Sequence, residues 1–169
     1  TPKGTVHQPI HPLQIALASN ATFVARSVDT NAKHLGEVLR RTAAHRGSAF
    51  VEIYQNCHIY NDEAFDFAKN VSIRDDHTVD LVDGSPLVFG KERDKGIRLN
   101  GTELEVVTLG EKYCESDLLV HNESADTTAI AQMMAGMEHP GMPEAIGVLY
   151  DVERPTHNDL MPDEVVAND

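Results

Sequence analysis

One tract of the sequence concentrates residues that could do chemistry, and it surrounds the first of two cysteines. Residues 51–62 read VEIYQNCHIYND and contain Cys57, His58 and Asp62. A thiolate can act as a nucleophile or bind zinc or an iron–sulfur cluster, although many cysteines only fill space in a core. A nucleophilic cysteine needs a base, and His58, as the next residue of an extended strand, would point to the opposite face. The tract therefore leaves metal ligation and an inert thiol open, and argues against a dyad of neighbours.

Other candidate ligands give weaker signals. His7 and His11 have the four-residue spacing of a helical metal site, but nearby prolines disfavour a helix there. The aspartates at 62, 75, 76 and 80 match no calcium-loop spacing and predict a solvated polar loop. Cys114 has acidic neighbours that disfavour its thiolate, so we expect it to be inert. A small mononuclear metal hydrolase that uses scattered histidines is the least favoured alternative.

Composition narrows the class of protein. The 169 residues are 41% hydrophobic, which suits one compact domain with an irregular appendage. A formal net charge of -13 opposes binding to nucleic acid or anionic membranes. The chain has two cysteines and neither a membrane-spanning apolar stretch nor the apolar region of a signal peptide. These features predict a cytoplasmic protein without nucleic-acid or membrane partners.

The first half predicts the elements that would position Cys57. A short helix over 13–18 is followed by a β-rich strand over 22–28 and by a helix with an apolar face, capped by Asp29 or Thr30 and ending before Gly47. Residues 49–54 then read as an interior strand of a sheet covered on both faces. This strand–helix–strand order predicts a parallel βαβ unit. Cys57 would lie just beyond the carboxyl end of its second strand, where ligands collect in α/β sheets.

The second half of the sequence predicts antiparallel strands after the βαβ unit, and the chain as a whole predicts an α/β fold. We expect a short helix over 63–69, a polar loop near 75–80, and a hairpin around the turn Asn100-Gly101. A helix over 126–137 with methionines as packing residues and a strand over 145–152 follow. Residues 1–12 read as an extended connector, and 159–169 as an acidic tail. We divide the chain into an α/β domain over 1–70 and a β-ribbon and helix extension over 71–169.

Several segments, taken in order, resemble one enzyme family. They are PIHP at 9–12, AL at 16–17, ATFVAR at 21–26, KHL at 33–35, VEIYQNC at 51–57 with ND at 61–62, and more loosely AIGV at 145–148 and RPT at 154–156. Together they resemble the β subunit of 2-oxoacid:ferredoxin oxidoreductases, most like the 2-oxoglutarate type. The resemblance is dense over residues 1–66 and looser over 143–158. It implies a C-terminal part of a thiamine-diphosphate-binding fold.

The resemblance implies cofactors and partners as well as a role for Cys57. β subunits of this family bind thiamine diphosphate with Mg²⁺, usually carry a [4Fe-4S] cluster and work with an α subunit. The enzymes oxidatively decarboxylate a 2-oxoacid to an acyl-CoA and pass electrons through the cluster to ferredoxin, with the difficult chemistry carried by the cofactors. Cys57 is similar to the fourth cluster ligand, the one remote in sequence from the other three. It is our candidate cofactor-binding and metal-ligating residue, and we assign no catalytic residue.

The resemblance also predicts what the isolated chain does not do. The family's other three cluster cysteines and its Gly-Asp-Gly segment for metal and diphosphate have no counterpart in these 169 residues. We therefore expect a fragment of the subunit that binds no cofactor stably and is inactive alone. The alternative is a noncatalytic subunit-interaction domain without a cofactor of its own.

Overall fold

The structure is a computed structural model that describes residues 6–7 and 9–161. Half of the predicted N-terminal connector over 1–12 and most of the predicted acidic tail over 159–169 lie outside the described residues. None of the helices in the described part of the chain is long and apolar enough to cross a membrane.

The βαβ unit predicted from the first half of the sequence is present. After helix α1 (Pro12–Ala18), strand β1 (Phe23–Val28), helix α2 (Ala32–Ala44) and strand β2 (Ala49–Tyr54) follow one another. The two strands are parallel over six residue pairs. The predicted cap of α2 is wrong, because the Asn31 side chain accepts a hydrogen bond from the backbone N–H of His34 at 3.3 Å.

The central sheet contains four strands in the order β2-β1-β7-β3. Strand β7 (Glu144–Asp151) is antiparallel to β1, and the short strand β3 (Thr78–Asp80) is parallel to β7. The prediction that β2 is an interior strand is wrong, because within the described residues it lies at the edge and half of it is exposed. Strand β1 is covered on both faces, with all six residues buried, and seven of the eight residues of β7 are buried as well. The apolar composition of β2 could not distinguish these positions, since both strands are rich in apolar residues.

The two faces of the sheet pack against different helices. On one face, α1 and helix α5 (Ala129–Ala135) cover β1 and β7, with Leu17, Val24 and Leu149 at most 2% exposed. On the other face, Val38 of α2 packs against Phe23. Alternate residues of β1 thus serve opposite cores, as strand geometry requires. Two of the predicted packing methionines, at 134 and 137, are buried in the first core.

The remaining elements surround this sheet. They are α3 (Asp66–Lys69), α4 (Arg74–His77), β4 (Val88–Phe89), β5 (Lys95–Asn100), β6 (Glu103–Thr108), a 3₁₀ turn (Glu115–Asp117) and α6 (His157–Leu160). The predicted polar loop near 75–80 is wrong, because α4 and β3 occupy it. The predicted hairpin is confirmed as β5 and β6 in an antiparallel sheet with β4, although its turn is Gly101-Thr102, one residue later than predicted. The division into 1–70 and 71–169 stays a prediction.

A charged side chain is buried in the middle of the central sheet. Arg26 of β1 is 5% exposed, and its guanidinium donates to Glu52 at 2.7 Å and to Glu144 at 2.5 Å. The Tyr54 hydroxyl donates to the same Glu144 oxygen at 3.0 Å. Burial raises the pKa of the Glu144 carboxyl, even though Arg26 opposes the shift. This network was not predicted, since its members are far apart in sequence.

Candidate functional site

The predicted site residue Cys57 lies in a loop that follows β2. We call residues 55–64 the Cys57 loop. The backbone N–H of Asn61 donates to the Cys57 carbonyl at 3.0 Å and closes a turn beside the sulfur. The thiol is exposed. The structure therefore places Cys57 three residues beyond the carboxyl end of β2, the sheet edge at which the sequence predicts it.

Backbone N–H groups of the Cys57 loop lower the pKa of the Cys57 thiol. Hydrogen bonds from the backbones of Tyr60 and Ile59, with a smaller one from Asn61, lower the pKa of the Cys57 thiol, while the Asp62 carboxylate opposes the shift. The thiolate is the form that binds metals, and hydrogen bonds to cluster sulfurs tune reduction potentials. The loop backbone thus favours the form of Cys57 that a metal or cluster requires. Sequence analysis missed this feature, since backbone donors are present in any sequence and only the fold directs them.

The other reactive residues of the tract hold the loop together. His58 Nδ1 lies 3.0 Å from Asp62 Oδ1, and the Asn56 amide donates to the same oxygen at 2.7 Å. Asn56 also accepts the backbone N–H of Glu63 at 2.9 Å. These contacts, Asn56 first, lower the pKa of the Asp62 carboxyl. The expectation against a dyad of Cys57 and His58 stays a prediction, and the residues form a turn and not the extended strand assumed in that argument.

Two aromatic rings close the base of the Cys57 loop. Tyr54, the last residue of β2, stacks on Phe65 with ring centroids 4.2 Å apart and an angle of 14° between the planes. The guanidinium of Arg26 lies 5.0 Å from the centre of the Tyr54 ring. Burial raises the pKa of the Tyr54 hydroxyl, so this group remains a hydrogen-bond donor to Glu144. The buried network of the sheet is therefore joined directly to the stem of the loop.

The weaker candidates do not form a metal site in the described residues. Across residues 6–7 and 9–161, no three His, Cys, Asp or Glu side chains converge as a metal centre would require. His11 pairs with Glu138 at 3.1 Å, and Asp76 pairs with Lys95 at 2.8 Å. Cys114 is exposed, and its sulfur lies 3.2 Å from the Asp117 carboxylate. Within the described residues, Cys57 therefore has backbone N–H donors beside it but is not part of a cluster of metal-ligating side chains.

Comparisons with known proteins agree with the resemblance found in the sequence. No family model matches the chain. The 2-oxoglutarate oxidoreductase subunit KorB of Mycobacterium tuberculosis is 33% identical over 168 residues, which is 99% of this chain and 44% of KorB. The β subunit of the 2-oxoacid:ferredoxin oxidoreductase of Saccharolobus solfataricus is 38% identical over 61 residues, 36% of this chain and 20% of that subunit. The chain thus spans less than half the length of these relatives.

A solved structure has the same fold. The 2-oxoglutarate:ferredoxin oxidoreductase from Magnetococcus marinus, with 2-oxoglutarate, coenzyme A and succinyl-CoA bound, matches with a TM-score of 0.61. The match covers 99% of this chain and 42% of the matched chain at 20% identity. It confirms the predicted α/β fold with a parallel strand pair and a separate antiparallel sheet. The chain is therefore homologous to part of a subunit of the 2-oxoacid:ferredoxin oxidoreductases and matches a 2-oxoglutarate-type subunit along almost all of its length.

Proposed function

We propose that this chain is part of the β subunit of a 2-oxoacid:ferredoxin oxidoreductase, with 2-oxoglutarate as the substrate. In this proposal Cys57 supplies one thiolate ligand to a [4Fe-4S] cluster, and the other ligands come from outside these 169 residues. The partners are the α subunit, ferredoxin, the 2-oxoacid and coenzyme A. Thiamine diphosphate supplies the decarboxylation chemistry of such an enzyme, and the cluster carries the electrons.

The observation that carries the proposal is the environment of the Cys57 sulfur. The thiol is exposed at a sheet edge, and N–H groups of its own loop lower its pKa. These properties fit a cluster ligand, because a ligand must be a thiolate, must reach the cluster and gains from donors near its sulfur. A buried cysteine used for packing would not be exposed in this way. Homology to oxidoreductase subunits independently supports the assignment.

Thiamine diphosphate and Mg²⁺ are proposed for the parent enzyme rather than for this chain. The sequence has no Gly-Asp-Gly segment to hold the metal and the diphosphate. Cys57 alone would leave a cluster with one of its four protein ligands. We therefore propose that the isolated 169-residue chain is inactive. Chemical reconstitution with iron and sulfide is the measurement, and a full complement of cluster absorbance on the isolated chain would contradict the fragment hypothesis.

A second candidate function is subunit interaction without a cofactor. Exposed apolar side chains on the Cys57 loop and the neighbouring strand favour it, since Ile59 and Tyr60 are 84% and 75% exposed and Phe50 and Ile53 of β2 are also exposed. Such side chains mark surfaces that other protein covers. This function is compatible with cluster ligation, because the exposed apolar side chains lie on the same loop as Cys57 and on the strand before it.

Cys57→Ser in the assembled αβ enzyme separates the two candidates. We expect loss of the low-temperature electron paramagnetic resonance signal of the reduced cluster and loss of ferredoxin reduction. Cys114→Ser is the matched control, because Cys114 is also exposed but lies in a 3₁₀ turn outside the Cys57 loop, and it should retain both. A normal cluster signal and normal activity in C57S would refute the ligand assignment and leave the interaction function.

A further inference from the structure

The geometry points to Tyr54 and Phe65 as positioning residues for Cys57, with their stacked rings holding the two stems of the Cys57 loop together. Tyr54 is the last residue before the loop, and Phe65 is the first residue after it. The stack holds these two positions together, so the ten loop residues must span a fixed distance between them. The inference deepens the proposed function and rests on it for its consequence at a cluster. The anchoring of the loop itself can be measured without a cluster.

The Tyr54 side of the stack is held rigidly. Tyr54 is 8% exposed, and its hydroxyl donates to Glu144 of β7 at 3.0 Å. Arg26 of β1 lies over the ring and is itself bound to Glu144. Offset-stacked and edge-to-face aromatic pairs contribute beyond their buried area, and buried, fully hydrogen-bonded partners limit their motion. Three strands of the central sheet therefore fix the ring on which Phe65 rests.

The Phe65 side fixes the return of the chain. Phe65 is partly buried, and its carbonyl accepts the backbone N–H groups of Ala68 and Lys69 at the start of α3. Ala68 packs in the same apolar cluster as Tyr54. The chain that leaves the loop is thus attached to the same cluster as the chain that enters it. Motion of Phe65 away from Tyr54 would lengthen the stem and release the turn at Asn61 and Glu63.

Phe67 provides a matched control on the same short helix. It belongs to the same apolar cluster as Phe65 and is also partly buried. Its ring, however, stacks on His139 at 4.4 Å and meets Tyr54 only edge-on at 6.4 Å. Phe65→Ala and Phe67→Ala therefore remove the same side chain from the same cluster, but only the first removes the stack that closes the loop.

Hydrogen exchange of the full 169-residue chain tests the anchoring. The reporters are the amides of Asn61, which donates within the turn, and Glu63, which donates to Asn56. We expect F65A to accelerate their exchange roughly tenfold relative to amides of β1, and F67A to change that ratio less than about twofold. Phe65→Tyr should restore the original ratio. If F65A does not fold, Phe65→Leu is measured instead, since it keeps an apolar side chain without a ring face.

Equal acceleration in F65A and F67A, or none in F65A, would overturn the inference. In the assembled enzyme, F65A should broaden or shift the cluster resonance and F67A should leave it unchanged. If C57S abolishes the signal but F65A leaves it unaltered, positioning fails and the proposed function stands. If C57S leaves the cluster intact, the proposed function fails, and the positioning of Cys57 for a cluster fails with it.

Discussion

Arg26→Met tests whether the buried network holds the central sheet together. The substitution keeps a long apolar side chain but removes the guanidinium that binds Glu52 and Glu144. Glu144 is 6% exposed and would be left without its cation. Breaking a buried ion pair by removing one partner typically lowers the free energy of unfolding by about 3–5 kcal/mol, a large share of the roughly 5–15 kcal/mol that stabilises a domain. We expect a loss in that range at pH 8.

The loss should depend on pH in a defined direction. The pKa of Glu144 is raised by burial above its ordinary value of 4.5. A carboxyl group with a higher pKa in the folded state holds its proton more tightly when folded. Its contribution to stability is therefore complete below about pH 4.5 and is lost as pH rises through the folded-state pKa. Removing Arg26 would raise the pKa of Glu144 further, because Arg26 opposes the effect of burial. R26M should therefore lose less unfolding free energy at pH 5 than at pH 8.

Urea denaturation followed by circular dichroism at the two pH values measures this effect. Arg40→Met is the control, because Arg40 is exposed and, within the described residues, forms an ion pair with Glu37 one helical turn away. Its loss should therefore change stability by at most about 0.5 kcal/mol. Adding Glu144→Gln to R26M should recover part of the stability at pH 8, since the more deeply buried of the two carboxylates that lost Arg26 is then uncharged. An R26M loss that equals the R40M loss, or that is the same at both pH values, would refute the reasoning.

Two further predictions concern β7. Arg41→Met should lower the free energy of unfolding, measured by urea denaturation, by about 1–2 kcal/mol. Arg41 donates two hydrogen bonds to Glu123 and a third to Asp151, and it remains partly open to solvent. Arg41→Lys should recover less than half of the lost stability. Gly147→Ala should lower the melting temperature and reduce the free energy of unfolding by at least about 2 kcal/mol. Gly147 has φ +135°, and an added Cβ would lie 3.0 Å from the Leu81 carbonyl oxygen. A variant as stable as the wild type would contradict this prediction.

Local features of the fold were predictable from the sequence. The βαβ unit follows from two apolar runs separated by a helix with one apolar face, and all three patterns lie within about 35 residues. The same locality explains why the position of Cys57 was predicted correctly, since Cys57 lies only three residues beyond the end of β2. The hairpin at Gly101 follows from alternation on either side of a turn dipeptide. In each case the signal lies within one or two neighbouring elements.

Features that depend on distant partners were not predictable. The edge position of β2 and the burial of β1 depend on which strand β7 joins, and apolar composition does not encode that choice. Arg26 gave no sign of burial, because its partner Glu144 follows 118 positions later. The polar composition around Asp75 and Asp76 predicted a loop, whereas the structure has a helical turn there with none of its residues buried. The donors at the Cys57 sulfur depend on the direction of the loop backbone, which residue types alone do not fix.

The position of β7 between β1 and β3 has a consequence for how the protein is made. During synthesis, β1 leaves the ribosome long before its antiparallel partner β7. Until then one side of β1 offers unpaired backbone groups to any passing strand. Native pairings of such long sequence separation form slowly, and the waiting intermediate exposes apolar surface. Until β7 arrives, the nascent chain is therefore open to non-native strand pairing.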